Sequence, residues 1–308
     1  MLSIFLILLS LFVLVKSADI FIDQASALAK KQKISDFIIG FTIVAFGTSI
    51  PELISTIFSS LSGHNQLVVS NIIGSNITNF CLVLGLVSIF NNFQIRKREI
   101  DINIPLNLAA LMFFWALSAY MNFHLNWGAG VSLISIFLLL IFLSKDYNHI
   151  QISKKTYSPF KPLLLISSLA FLILSGKICI DQIILLSLQF KISETILGYF
   201  LLALGTSLPE LISAWVAIKK HNKELGIGNI LGSNLFNLLF IFGISTFIRP
   251  LNLSYFKVDL FFLTGVTLAV YFYAIVGKKY SFSRKEGLGL LFFYLLFIVF
   301  QATRNIIK

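Results

Sequence analysis

Apolar runs of membrane length, separated by short polar turns, organise this 308-residue chain, and they predict ten transmembrane helices. The first five runs cover Leu2 to Val15, Asp36 to Ser62, Leu67 to Phe90, Ile104 to Tyr120 and Trp127 to Leu143. The longest polar connection, 144–161, comes next and is too short to be a folded domain. Five further runs span Pro162 to Leu188, Thr195 to Ile218, Leu225 to Phe247, Leu260 to Val276 and Leu288 to Phe300. The first run has the length of a signal peptide, but it lacks a basic start and a clear small-residue cleavage site. Its counterpart near Leu163 to Leu174 lies mid-chain, so both are expected to be spans, the first continuing as a polar stretch through Asp23.

Two runs are interrupted in the same way. Gly47-Thr48-Ser49-Ile50-Pro51-Glu52-Leu53-Ile54-Ser55 returns as Gly205-Thr206-Ser207-Leu208-Pro209-Glu210-Leu211-Ile212-Ser213, 158 positions later. The same offset pairs, without a gap, Asp23 with Asp181, Gly40 with Gly198, Asn71 with Asn229, Gly74 with Gly232, Ser75 with Ser233, Asn79 with Asn237 and Gly85 with Gly243. Two homologous halves follow, 1–150 ending in the connector 144–161 and 151–308. Each break combines a proline, which removes a helical hydrogen bond, with an acid that costs about 2.5 to 3.5 kcal/mol at the centre of a membrane helix. Such a break belongs in a protein-lined or wet cavity, where a cation would satisfy carbonyls, hydroxyls and carboxylate together.

Composition agrees with a polytopic membrane protein: 57% of residues are hydrophobic, 12% are charged and the mean hydropathy is +0.90. The net charge of +11 does not point to nucleic acid, because the basic residues form short clusters between apolar runs. If the N-terminus is outside, cytoplasmic loops hold 17 of the 24 Lys and Arg, among them Lys30, Lys31, Arg96, Lys97, Lys161, Lys219, Lys220, Lys223, Arg284 and Lys285. The positive-inside rule therefore places both termini outside. Five spans per half is an odd number, so the second half enters the membrane inverted. The fold expected is an all-α polytopic membrane protein of two inverted five-helix repeats, with helices two and seven broken. Cys81 and Cys179 form no CxxC or Cys/His cluster and read as core residues.

Only two acids lie deep within the runs, Glu52 and Glu210. Ser75 and Asn79, like Ser233 and Asn237, stand four residues apart on one helical face, with Gly74 and Gly232 beside them for close helix approach. Together with Thr48, Ser49, Thr206 and Ser207 they form an all-oxygen set, which suits hard cations such as Na⁺ and Ca²⁺ rather than zinc or copper.

These paired motifs, each followed by a GSN-containing helix, resemble the α-repeats of the Na⁺/Ca²⁺ exchanger family in the cation/Ca²⁺ antiporter superfamily, of the prokaryotic calcium/sodium antiporter type. The resemblance implies that Glu52, Glu210, Thr48 and Thr206 hold Ca²⁺. It implies Na⁺ sites on the same carboxylates plus Ser49, Ser207, Ser75, Ser233 and the backbone carbonyls of Ala45 and Ala203, with Asn79 and Asn237 lining the middle. Many prokaryotic relatives carry Asp where this chain has Asn237; the asparagine keeps the pair symmetric and removes one titratable group, which bears on proton involvement. A transporter of Na⁺ and Ca²⁺ in the cell (inner) membrane is expected, not an enzyme, with the lipid bilayer as its surroundings and no cofactor. Ca²⁺/H⁺ antiport is the alternative, since a close glutamate pair also carries protons, and a passive cation channel is a third class.

Overall fold

Backbone amides shielded from water must pair within their own segment, and this chain answers by folding almost wholly into helices. The computed structural model describes residues 2–32, 35–97, 99–144, 159–188, 197–276 and 280–306. Among them stand ten helical rods. They are α1 (Leu2–Gln32), α2 (36–61), α3 (Asn65–Phe90), α4 (Glu99–Tyr120) and α5 (Trp127–Ser144), then α6 (Pro162–Leu188), α7 (197–219), α8 (Lys223–Ile248), α9 (Ser254–Ile275) and α10 (Arg284–Ile306). Most of the connector, Glu194, and the basic residues Lys33, Arg98, Lys145, Lys154, Lys155, Lys191, Lys278, Lys279 and Lys308 lie outside the described residues.

The helix α1 does not stop where its apolar run stops. It continues to Gln32, because its polar second half is enclosed by protein rather than left in water. Asn222 Nδ2 donates to Ser26 Oγ at 2.9 Å, and Gln24 Oε1 accepts from the backbone N–H of Lys161 at 2.7 Å. Lys220 Nζ bridges Asp19 Oδ1 and Asp23 Oδ1, each at 2.8 Å. Partial burial pushes the Lys220 ammonium down, but these two carboxylates outweigh it and hold its pKa above the ordinary lysine value.

Burial is greatest at the centre of the bundle. Over their most apolar stretches α3 and α8 are 83% buried, against 39% for α4 and α9 and 28% for α10, so α3 and α8 form the axis and the others shield them. The two halves are interlocked around this axis: α3 packs on the first arm of α7 and on α10, while α8 packs on the first arm of α2 and on α5. Small residues permit the contacts. A Cβ on Gly232 would strike the Phe41 carbonyl oxygen and lie 2.8 Å from Ala45 Cβ, and one on Gly74 would lie 2.8 Å from Ala203 Cβ.

Helices α1 and α6 run along each other and share a separate apolar cluster with the broken helices, which includes Phe21, Ile22, Val44, Leu172 and Ala217. Four strands of two residues each add the non-helical pairing. Phe93–Gln94 (β1) pairs with Ser281–Phe282 (β4) on the face of the α7–α8 turn. His124–Leu125 (β2) pairs with Leu251–Asn252 (β3) on the face of the α2–α3 turn. Each ladder joins one half to the other.

Close approach at Gly232 makes a testable difference between two glycines. Gly232→Leu is expected to destabilise by at least the ~1–3 kcal/mol typical of overpacking. Gly265→Ala, where a new Cβ meets nothing within 4 Å, is expected to hold or raise stability by up to the ~1 kcal/mol of helix propensity. Thermal unfolding in detergent reads both; equal melting temperatures for the two variants would contradict the packing.

Candidate functional site

Each break is a helix end followed at once by a helix start. The first arm of α2 ends at Thr48 and the second, Ile50–Leu61, begins after Ser49, with a 42° bend between the arms. Pro51 sits in the first turn of that second arm, where its missing N–H costs least, but the carbonyl of Gly47 one turn back loses its usual donor. In α7 the arms end at Thr206 and restart at Leu208–Lys219 around Ser207, with Pro209 in the equivalent place. Glu52 and Glu210 therefore occupy first turns, where the helix dipole favours a carboxylate.

The arms cross so that each acid meets the opposite half. Ser49 Oγ donates to Glu210 Oε1 at 2.8 Å, and Ser207 Oγ donates to Glu52 Oε1 at 3.2 Å. Glu52 and Glu210 thus share one pocket, and both are wholly buried. Ser233 Oγ reaches the same Glu210 oxygen at 3.4 Å. Thr48 lies against Glu210 and Thr206 against Glu52. The carbonyls of Ala45 and Ala203 accept the backbone N–H of Ser49 (3.0 Å) and Ser207 (3.1 Å), and the Ala45 carbonyl also lies 3.4 Å from Thr48 Oγ1.

Ser75, Asn79 and Asn237 are buried in the middles of α3 and α8, which cross here, but no direct bond joins them to either carboxylate. Asn79 and Asn237 are the second residues of stretches of π-helix, Thr78–Val83 and Phe236–Ile241, a wider winding that is common at functional sites. Apolar periodicity gives no sign of these stretches.

Seven atoms at this centre have no hydrogen-bond partner among the described residues: Glu52 Oε2, Glu210 Oε2, Ser75 Oγ and both amide atoms of Asn79 and of Asn237. At ~1–3 kcal/mol each, their combined cost is on the order of ten kcal/mol, comparable with the whole stability of a typical domain. Water could satisfy the amides and the hydroxyl, but it leaves two carboxylates uncompensated; a positively charged guest answers both needs. Asp259, a buried acid at the start of α9, needs no guest, because Arg304 Nη1 holds its Oδ2 at 2.8 Å and Gln301 bonds its other oxygen.

Two site residues had no assigned role in the sequence, Asn71 and Asn229. Thr48 Oγ1 donates to Asn229 Oδ1 at 3.1 Å, and Asn71 Nδ2 donates to Ser55 Oγ at 3.0 Å and Thr56 Oγ1 at 3.2 Å. The available signal was spacing: Asn71, Ser75 and Asn79 recur every fourth residue on one helix face, as do Asn229, Ser233 and Asn237.

Comparison with known proteins identifies the family. The sodium/calcium exchanger protein family model matches residues 2–145 and 160–303. The chain is 29% identical to the sodium/calcium exchanger MaX1 of Methanosarcina acetivorans over 96% of its length and 97% of that protein. It is 30% identical to the inner membrane protein YrbG of Escherichia coli over 80% of its length and 79% of that protein. Structures of the sodium-calcium exchanger NCX_Mj superpose on it with a TM-score of 0.84 at 27% identity when soaked in Na⁺ and Sr²⁺, and 0.80 at 27% identity when soaked free of Na⁺ and Ca²⁺. Each of these alignments covers 97% of this chain and 98% of that one. With two inverted repeats, two broken helices and one buried acid on each, the chain is a membrane transporter of the sodium/calcium exchanger family.

Proposed function

We propose that this protein exchanges Na⁺ for Ca²⁺ through the pocket between Glu52 and Glu210. The observation that carries the reading is the reciprocal crossing of Ser49 to Glu210 and Ser207 to Glu52, which leaves one oxygen of each carboxylate unpaired and buried among neutral oxygens. One Ca²⁺ neutralises both acids, and Na⁺ ions do the same, so the two cargoes compete for Glu52, Glu210, Thr48, Thr206, Ser49, Ser207, Ser75, Ser233, Asn79, Asn237 and the carbonyls of Ala45 and Ala203. Competition is the source of coupling. A loaded site is close to neutral and crosses at low cost, whereas an empty one carries two buried charges and stays where it is.

The distribution of Lys and Arg supports a cytoplasmic α7–α8 face and an external α2–α3 face, with both termini outside. With Na⁺ flowing inward, the cycle extrudes Ca²⁺ across the cell membrane. Any net charge moved per cycle couples transport to voltage at about 2.3 kcal/mol per 100 mV. Proton-coupled Ca²⁺ transport is the second reading, favoured by the carboxylate pair itself, since protons also neutralise it.

Uptake of ⁴⁵Ca²⁺ into proteoliposomes separates them. Acceleration by an opposed Na⁺ gradient at constant pH is the expected result; acceleration by a pH gradient alone would replace Na⁺ with H⁺. Glu52→Gln and Glu210→Gln are each expected to abolish coupled uptake while the protein still folds, and undiminished flux in either would remove that glutamate from the site.

A thermal assay tests the site without transport. Ca²⁺ at one hundred times its dissociation constant is expected to stabilise the wild type by about 2.7 kcal/mol. Glu210→Gln is expected to lose that increment and, in the absence of ions, to melt no lower than wild type because a buried charge has gone.

A further inference from the structure

The offset of 158 residues maps α3 onto α8 and Asn71 onto Asn229, so exact symmetry would give the two asparagines the same contacts. Their contacts differ. Asn229 reaches into the opposite half, where its Oδ1 accepts from Thr48 Oγ1 at 3.1 Å; within its own half that Oδ1 also accepts from Ser233 Oγ and its Nδ2 donates to the Glu210 carbonyl, each at 3.5 Å. Asn71 stays within its own half on Ser55 and Thr56, and its Oδ1 is buried with no partner among the described residues. Thr48 has an own-helix acceptor too, the Ala45 carbonyl, but at 3.4 Å it is farther than Asn229, whereas Thr206, its counterpart, donates along its own helix to the Leu202 carbonyl at 2.8 Å.

Space around the two threonines is unequal in the same sense. Thr206 lines a cavity of about 190 Å³ with Pro51, Ser55, Phe58, Lys177 and Asp181. The offset carries that lining onto Thr48, Pro209, Ser213, Val216, Asp19 and Asp23. There, on the α7–α8 face, Lys220 ties Asp19 and Asp23 together, and Phe21, Val44, Val216 and Ala217 close up as one apolar cluster. The threonine that bonds to an asparagine across the halves, Thr48, lies outside this cavity; the one that does not, Thr206, lines it.

A threonine oxygen faces a cation only when its proton is given elsewhere, so the acceptor of that proton sets the ligand's orientation. We propose that Asn71 and Asn229 are alternating positioning residues: each takes the hydroxyl proton of the threonine on the opposite broken helix when the pathway beside that threonine is shut, and releases it when the pathway opens. In the present conformation Asn229 is engaged and Asn71 released. The unpaired Oδ1 of Asn71 is the acceptor that Thr206 would find on closure. This rests on the exchanger reading for its meaning, since alternate closure is what coupling requires.

The test reads conformation rather than flux. In full-length protein carrying Cys81→Ser and Cys179→Ser, single cysteines Ile54→Cys, beside the cavity, and Ile212→Cys, its counterpart, are labelled with a membrane-impermeant thiol reagent applied to each side of proteoliposomes. Asn229→Ala is expected to raise Ile212→Cys labelling about three- to tenfold, the range one net hydrogen bond commands, and to lower that of Ile54→Cys. Asn229→Asp, which keeps the acceptor, is expected to label like wild type, and Asn71→Ala is expected to leave Ile212→Cys labelling unchanged. Thr48→Val, which keeps the shape and loses the proton, reproduces Asn229→Ala, and the double variant adds nothing further; this arm decides the matter if Asn229→Ala does not fold. Unchanged or equally changed labelling at both cysteines overturns the proposal. Labelling that shifts as described in a protein without Na⁺-coupled Ca²⁺ uptake would overturn the exchange reading and leave the asparagine pair in place.

Discussion

Two carboxylates enclosed at the middle of a membrane protein, with no basic side chain beside them among the described residues, place a demand on everything around them. Coulomb repulsion between like charges is strong where water is excluded, and among the described residues neither Glu52 nor Glu210 has a lysine or arginine partner like the Arg304 that neutralises Asp259. The protein meets part of the demand with dipoles. Each acid stands in the first turn of a helical arm and receives a serine hydroxyl from the opposite half. The remainder calls for positive charge from outside the chain, and under the exchange proposed above that charge is the transported cation.

The architecture follows from bringing both acids to one point. A helix that crossed the bilayer unbroken would have no free N-terminus at mid-depth, so each half interrupts one helix with Ser-x-Pro. Inverting the halves aims the two second arms at the centre from opposite faces, and the small residues Gly74 and Gly232 let α3 and α8 approach the first arms closely enough to close the pocket from the sides. The rest of the bundle shields this core.

Much of this was legible in the sequence, because symmetry and cost leave traces there. The ungapped register of the two halves identified the repeat, the odd number of spans implied its inversion, and an acid behind a Gly and Pro break marked the centre. The polar half of α1 was less legible: hydropathy registers what faces lipid, whereas Gln24 and Ser26 face protein and let the helix run on to Gln32. The π-helical stretches at Asn79 and Asn237 follow from local packing that no residue pattern announces. Asn71 and Asn229 were visible as a pair, but the difference between them was not, because a difference between equivalent residues belongs to the conformation rather than to the sequence.

The two short ladders also bear on how such a chain is made. Strand β1 waits for β4 and β2 waits for β3, and Glu52 receives its serine from a segment synthesised 155 residues later (207 − 52). Until α7 arrives, the nascent first half holds an acid in the bilayer without its companion hydroxyl and leaves both ladders open. The first five helices alone therefore lack half of the pocket, which is complete only when the second half lies against the first.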